Sequence, residues 1–139
     1  MALLRIHIGL AVSDTECTVL EHSRLPLAEL PGIAHRTLAG HEHGLSQLSI
    51  WRQTLSPGAA TPPHHHDTEE VVLCHAGQGE VHLDDRVHRF GPNSSVLLPR
   101  DVQHQIFNTG DEPMEITGVF PSAPVAVFDR EGHPVPLPW

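Results

Sequence analysis

The sequence predicts an all-β fold, a sandwich or barrel assembled from short strands. Three observations carry that expectation. Short apolar runs recur with turn residues between them, at the roughly 8–12-residue spacing of sandwiches and barrels. Thirteen prolines and eleven glycines in 139 residues leave little room for long helices. Several runs alternate apolar and polar side chains, which is the period of a half-buried strand.

Taken in order, Leu4, Ile6, Ile8, Leu10 and Val12 alternate at period 2 and predict a first strand. Ser13 to Glu16 is turn-like, and Thr18 to Leu20 resumes extended structure. The stretch 21–44 is interrupted by Pro26, Pro31, Gly32 and Gly40, and its one local signal is a helical turn at Leu27 to Leu30. Residues 45–55, with Leu48, Ile50, Trp51 and Leu55, end at Pro57-Gly58 and read as a strand. Pro62 to His66 is extended, because a proline pushes its predecessor toward β or polyproline geometry. Glu70 to Ala76 is a Val- and Leu-rich strand closed by Gly77 and Gly79. Glu80–Leu83 and Val87–Phe90 flank Asp84-Asp85 as a hairpin. Gly91-Pro92-Asn93 turns the chain before the strands Ser95–Leu98, His104–Asn108, Met114–Phe120 and Val125–Phe128. A Pro-rich tail follows, ending Pro136-Leu137-Pro138-Trp139, and no internal repeat shows at any solenoid period.

Composition narrows the function. A chain of this length makes one domain, and 39% hydrophobic residues suffice for a core. Eight Lys+Arg against seventeen Asp+Glu leave a formal charge of -9, which repels phosphate backbones and argues against nucleic acid as a partner. No apolar stretch approaches the roughly 20 residues of a membrane span. Arg5 and His7 interrupt the apolar N-terminus and no clear cleavage site follows, so no signal peptide is expected. Cys17 and Cys74 make no disulfide framework and fit a reducing cytoplasm.

Thirteen histidines are the main chemical signal. His64 and His66, two apart on an extended segment, turn both imidazoles to one face. Glu70 follows across a short Asp67-Thr68-Glu69 turn at the mouth of the next strand, and strand parity puts Val72 and Cys74 on its face. His104 opens a later strand. Three imidazoles and one carboxylate that converge inside a small barrel suit Fe(II), Mn, Ni, Zn or Cu rather than Ca.

These residues carry a resemblance. Gly58-x5-His64-x-His66-x3-Glu70-x6-Gly77 matches every fixed position of the first cupin motif, and Pro99-x4-His104-x3-Asn108 matches most of the second. Two departures stand out: Asp101 occupies a place where the second motif usually has glycine, and Gly91 comes two residues early before Pro99. The chain resembles the cupin superfamily over about residues 45–120. The resemblance implies a single-domain cupin double-stranded β-helix, a jelly-roll barrel over 45–128, with an N-terminal strand extension over 1–44 that packs on the barrel or on a dimer partner, and a Pro-rich tail over 129–139. It implies His64, His66, Glu70 and His104 as ligands of one divalent transition metal per chain, Fe(II) first among them. It also implies a homodimer, whose contact we assign to the strand around Leu4 to Val12, since that edge needs covering.

Other residues were weighed against plainer roles. His65 has the opposite parity to its neighbours and is expected to be exposed; Glu69 is one position short of the motif and is expected to be solvated. His7, His22, His35, His41, His43, His82, His88 and His133 have no spacing that demands chemistry and read as surface or hydrogen-bonded groups. Cys74 and Arg52 are candidate substrate contacts, with Arg100 a further clamp for an anion; Trp51 and Phe107 read as core or interface residues.

Four protein ligands leave an octahedral metal two open positions, which is the mark of a catalytic rather than a closed structural site. The absence of tyrosine argues against cupin lyases with a tyrosine base and thiol dioxygenases with a Cys-Tyr crosslink. The expectation is a dioxygenase-type oxidoreductase acting on a small organic molecule. The alternatives are a metal-dependent isomerase or lyase using Glu70 as proton carrier, and a small-molecule-binding cupin without turnover.

Overall fold

In the computed structural model, residues 16–139 are described, so the strand read over Leu4–Val12 and the dimer contact assigned to it lie outside the described residues. Nine strands follow one another: β1 (Ala28–Leu30), β2 (Ile33–Ala39), β3 (Ser49–Leu55), β4 (Glu70–Ala76), β5 (Gly79–Leu83), β6 (Arg86–Phe90), β7 (Ser94–Leu98), β8 (His104–Asn108) and β9 (Met114–Phe120). They form a six-stranded sheet in the order β1-β2-β3-β9-β4-β7 and a three-stranded sheet in the order β6-β5-β8, with every pairing antiparallel. This is the two-sheet jelly-roll arrangement of the expected all-β fold. Among the described residues no helix is long and apolar enough to cross a membrane.

Strand alternation decides what is inside. Along β4, Glu70, Val72 and Cys74 are buried, and along β8, His104, Ile106 and Asn108 are. Leu55, Val72, Val81, Ile106, Met114 and Ile116 fuse into the core between the sheets. Burying each such side chain stabilises the fold by roughly 1.5–3 kcal/mol. The core occupies one end of the barrel. At the other end the inward positions of the same strands carry His104 and Glu70, so one period-2 pattern builds both core and site.

Two turn positions explain why the motif is spelled as it is. Gly77 has φ 92°, and a Cβ there would stand 2.7 Å from the Cα of Met114, so a side chain would be both strained and blocked by backbone. Asp101 has φ 63°, a left-handed conformation that Asp tolerates better than most residues, so the turn usually made by glycine forms without it.

Three local expectations are corrected. Leu27–Leu30 is not a helical turn: Ala28–Leu30 is β1, which pairs with β2 through a turn at Gly32. The strand Ile33–Ala39 was not legible because its polar positions, His35 and Thr37, are buried ones. Val125–Phe128 forms no strand; Phe128 makes only isolated bridges, to His65, with which it exchanges both backbone hydrogen bonds, and to Pro134. β2 pairs with β3 along its length, from Ile33 opposite Leu55 to Ala39 opposite Ile50, so residues 33–39 continue the barrel sheet. Beyond Phe128, Asp129 closes a turn whose side chain accepts from the N–H groups of Glu131 and His133, and the chain returns across the barrel mouth.

Candidate metal centre

The site is assembled by backbone pairing. His64 and His104 exchange both backbone hydrogen bonds, at 3.0 and 2.8 Å, which places their side chains opposite one another on one face. His66, two residues on, shares that face, and Glu70 enters at the start of β4, where it pairs with Leu98. A ligand nitrogen from each of His64, His66 and His104 lies within 4.8 Å of the others. The Oε1 of Glu70 is 3.4 Å from Nε2 of His66 and 3.5 Å from Nε2 of His104.

The proton positions follow from the neighbours. Nδ1 of His64 donates to the carbonyl of Pro62 at 2.6 Å, Nδ1 of His66 to that of Ala126 at 2.8 Å, and Nδ1 of His104 to that of Val102 at 3.1 Å. A carbonyl can only accept, so each Nδ1 carries a hydrogen and Nε2 is the nitrogen left to face the site. Burial, reinforced by the neighbouring His104, pulls the His64 pKa down to about 4, and burial pulls that of His66 down to about 4. Both rings are therefore neutral at physiological pH.

The Nε2 of a neutral His66 cannot donate to Glu70. Its Oε1 and the Nε2 of His104 are both buried and have no hydrogen-bond partner. Polar atoms left without partners in a dry site cost free energy unless something such as a cation satisfies them. The three imidazole lone pairs fit a divalent metal, and their Nδ1 contacts supply the outer hydrogen bonds that usually orient such ligands. Gly118 makes room for the carboxylate, since a Cβ there would lie 2.9 Å from Oε2 of Glu70.

The histidines and Glu70 border a cavity of about 140 Å³. Its walls are mostly apolar, with Trp51, Val72, Ile106, Ile116 and Val127 prominent, and Gln53 and Thr61 are its other polar residues. Thr61 Oγ1 already accepts from the Ile106 N–H. Gln53 Nε2 donates to Nδ1 of His35 at 3.0 Å, and Nε2 of His35 donates to Thr37 Oγ1 at 2.8 Å. Burial lowers the His35 pKa to about 4, so this ring is neutral too.

The residues read as substrate contacts sit elsewhere. Cys74 faces inward as its parity requires, but it lies in the core below the cavity, where burial raises its thiol pKa. Arg52 alternates outward from Trp51 and Gln53 and pairs with Glu115 on the outer face at 3.3 Å. Arg100 is exposed beside Asp101, and Phe107 packs on His82. Trp51, read as a core or interface residue, lines the cavity and packs against Phe120 with ring centroids 4.6 Å apart. His65 is half-buried rather than exposed: it turns away from the site and stacks on Phe128. Glu69 is exposed. Gln53 was missed although it shares parity with Trp51. Trp139, which also lines the cavity, carried no sequence signal because prolines erase periodicity in the tail.

Comparison with known proteins agrees with this geometry. The family model described as a cupin domain matches residues 51–120. An auxin-binding protein of Nicotiana tabacum is 33% identical over 129 residues, covering 79% of this chain and 69% of that protein. Protein SchB of Streptomyces halstedii is 37% identical over 98 residues, covering 70% of this chain and 67% of that protein. The polyketide cyclase RemF from Streptomyces resistomycificus superposes with a TM-score of 0.68 at 21% identity, over 79% of this chain and 84% of its own, a likeness of fold.

Proposed function

This chain belongs to the cupin domain family, and on that premise we propose that it holds one divalent transition metal on His64, His66, Glu70 and His104 and acts there on a small, largely apolar molecule bearing an oxygen donor. The observation that carries the reading is the pair of buried, partnerless polar atoms, Glu70 Oε1 and His104 Nε2, at the edge of an apolar cavity. When bound, the metal supplies a Lewis-acid centre and, in the case of Fe(II), Mn, Ni or Cu, redox capacity.

The chain's own residues set the rest. Trp51, Val72, Ile106 and Ile116 exclude water and hold the apolar body of the ligand. Gln53, held by His35, offers it one polar contact. Among the described residues Glu70 is the only carboxylate lining the cavity. A reaction run on proton transfer would have to borrow that same group as its carrier. An oxidation by O2 asks for no further acid or base, which favours a dioxygenase-type oxidoreductase with Fe(II) as the first candidate. The second reading, a binding cupin without turnover, is favoured by the enclosed apolar walls and by the auxin-binding name of a relative.

Product formation by Fe(II)- and Zn(II)-loaded protein, each with and without air, over a panel of carbonyl, enol and phenolic compounds, tests the proposal. Product only with iron and air is expected; turnover with zinc in the absence of oxygen overturns the oxidative reading. Binding without product under any condition selects the second. The same proposal places the protein in a reducing cytoplasm, since both cysteines are free, and as a homodimer. Light scattering on the full chain and on one lacking residues 1–14 tests the dimer, and a monomeric full chain removes it.

A further inference from the structure

The cavity beside the histidines is not closed by the barrel. Val135, Leu137 and Trp139, with the prolines between them, form part of its wall. The last backbone hydrogen bond that holds this segment, among the described residues, is from the Val135 N–H to the Val127 carbonyl at 2.8 Å. Pro136 and Pro138 have no N–H to donate. Past Val135 the segment is held by ring contacts. The Trp139 indole stacks on His35 with centroids 3.6 Å apart and planes at 12°, and meets Trp51 edge-on at 5.3 Å.

The closed position has an internal cost. The Trp139 Nε1–H is buried with no acceptor, a donor that water would satisfy if the ring swung out. A second pocket of about 70 Å³ also abuts this ring and is lined in part by His41, Glu42 and Ser49. The two cavities share Trp51, Leu137 and Trp139 in their walls. These three side chains therefore stand between the second pocket and the histidine site.

We propose that Trp139 and Leu137 form a movable gate: Trp139 leaves His35 to join the two pockets into one entry path, and its return over the ligand sets the largest molecule the inner site accepts. The role of the inner site as a ligand site rests on the function proposed above; the gate itself rests on the contacts of the 135–139 segment. Gln53 is hydrogen-bonded to His35, on which Trp139 stacks, so the closed ring also fixes the Gln53 amide beside the ligand. A gate held by aromatic faces and not by backbone hydrogen bonds opens without disturbing the sheet.

Stopped-flow binding of benzoate and 2-naphthoate to the wild-type, Trp139→Ala and Trp139→Phe chains tests this, each protein both metal-free and Co(II)-loaded. The readouts are Trp51 fluorescence and, in the loaded protein, the Co(II) visible spectrum. Trp139→Ala is expected to speed benzoate association by about tenfold or more and to admit 2-naphthoate readily, because binding no longer waits on a conformational step. Trp139→Phe should stay within about threefold of wild type, since a smaller ring still caps the path. Equal Co(II) content in all three proteins shows that the metal site is untouched. Wild-type rates and size limits in a folded Trp139→Ala protein overturn the gate. Should that variant fail to fold, acrylamide quenching in the Trp51→Phe protein decides, because Trp139 is then the only tryptophan. Quenching that falls when benzoate binds supports the gate; a ring inaccessible to acrylamide with and without benzoate is a fixed wall and ends the proposal. Failure of every protein to bind Co(II) would instead refute the metal reading, and the metal-free arms would still judge the gate.

Discussion

The Nδ1 of His66 donates to the backbone carbonyl of Ala126 at 2.8 Å, so the segment that carries the candidate ligand and the chain's exit from the barrel are tied by one bond. That bond fixes the tautomer of His66 and orients its free nitrogen toward Glu70 and His104. The segment after Ala126 is thereby placed over the site as well.

His104→Ala removes one lone pair from the set of three imidazoles. Metal affinity should fall by orders of magnitude, since a water must take the place of a positioned imidazole. Elemental analysis of the purified wild-type and variant proteins measures this. Equal metal in both removes His104 from the site.

Gly118→Ala probes Glu70 without touching a histidine. The new Cβ would lie 2.9 Å from Oε2, so the carboxylate must turn from its present position. Metal affinity should drop by about 10–100-fold, the usual cost of disturbing the shell around a ligand. Calorimetric titration gives the affinity, and an unchanged value shows that Glu70 is not a ligand.

Acid should destabilise the metal-free protein over a defined window. His35, His64 and His66 have pKa values lowered from 6.5 to about 4 by burial. Between those values the unfolded chain binds protons that the folded chain refuses, so stability falls as pH falls. Their contribution is fully present above about 6.5, declines from there to about 4, and changes no further below. Denaturant unfolding at a series of pH values checks it; a midpoint that holds or rises between pH 6.5 and 4 contradicts the burial of these rings.

Arg52→Ala and Cys74→Ser separate fold from function. Arg52 makes a partly exposed pair with Glu115, worth up to about 1 kcal/mol. Cys74 sits in the core, and a hydroxyl in place of its thiol should cost roughly 1–3 kcal/mol. Both variants should bind benzoate with wild-type affinity by calorimetry. A large loss in the Arg52 variant would return that residue to the substrate path.

The strands that build the barrel were legible where side-chain alternation is written in apolar residues. His104–Asn108 and Met114–Phe120 run as the sequence predicts, and Glu70–Ala76 does too. β2 was not, because its inward row reads Ile33, His35 and Thr37, and polar side chains that satisfy one another inside a protein look solvated in a sequence. The histidine spacing pointed to the cluster that the fold assembles, since a two-residue interval on extended chain has one geometric meaning. Arg52 and Cys74 were misplaced for different reasons: one faces away by parity, and the other faces inward at the wrong depth. Parity gives the face of a strand and not the distance along it. Trp139 reaches the cavity only because the chain doubles back after Asp129, and no local pattern encodes that return.

The mutual backbone bonding of His64 and His104 has a consequence for how the protein would acquire the proposed metal. The two residues come from segments that meet only when the barrel closes, so the complete ligand set exists only in the folded chain. The run His64-His65-His66, by contrast, is continuous in sequence and offers imidazoles to a metal even when nothing else is formed. An ion caught there early would engage His65, which the folded chain turns outward against Phe128. Metal captured by the unfolded chain stabilises the wrong end of the equilibrium. The order of supply therefore matters: a chain that folds first and is metallated afterwards fills a ready-made site, whereas one that meets metal before folding must release it, or pass it from His65, before the barrel can shut.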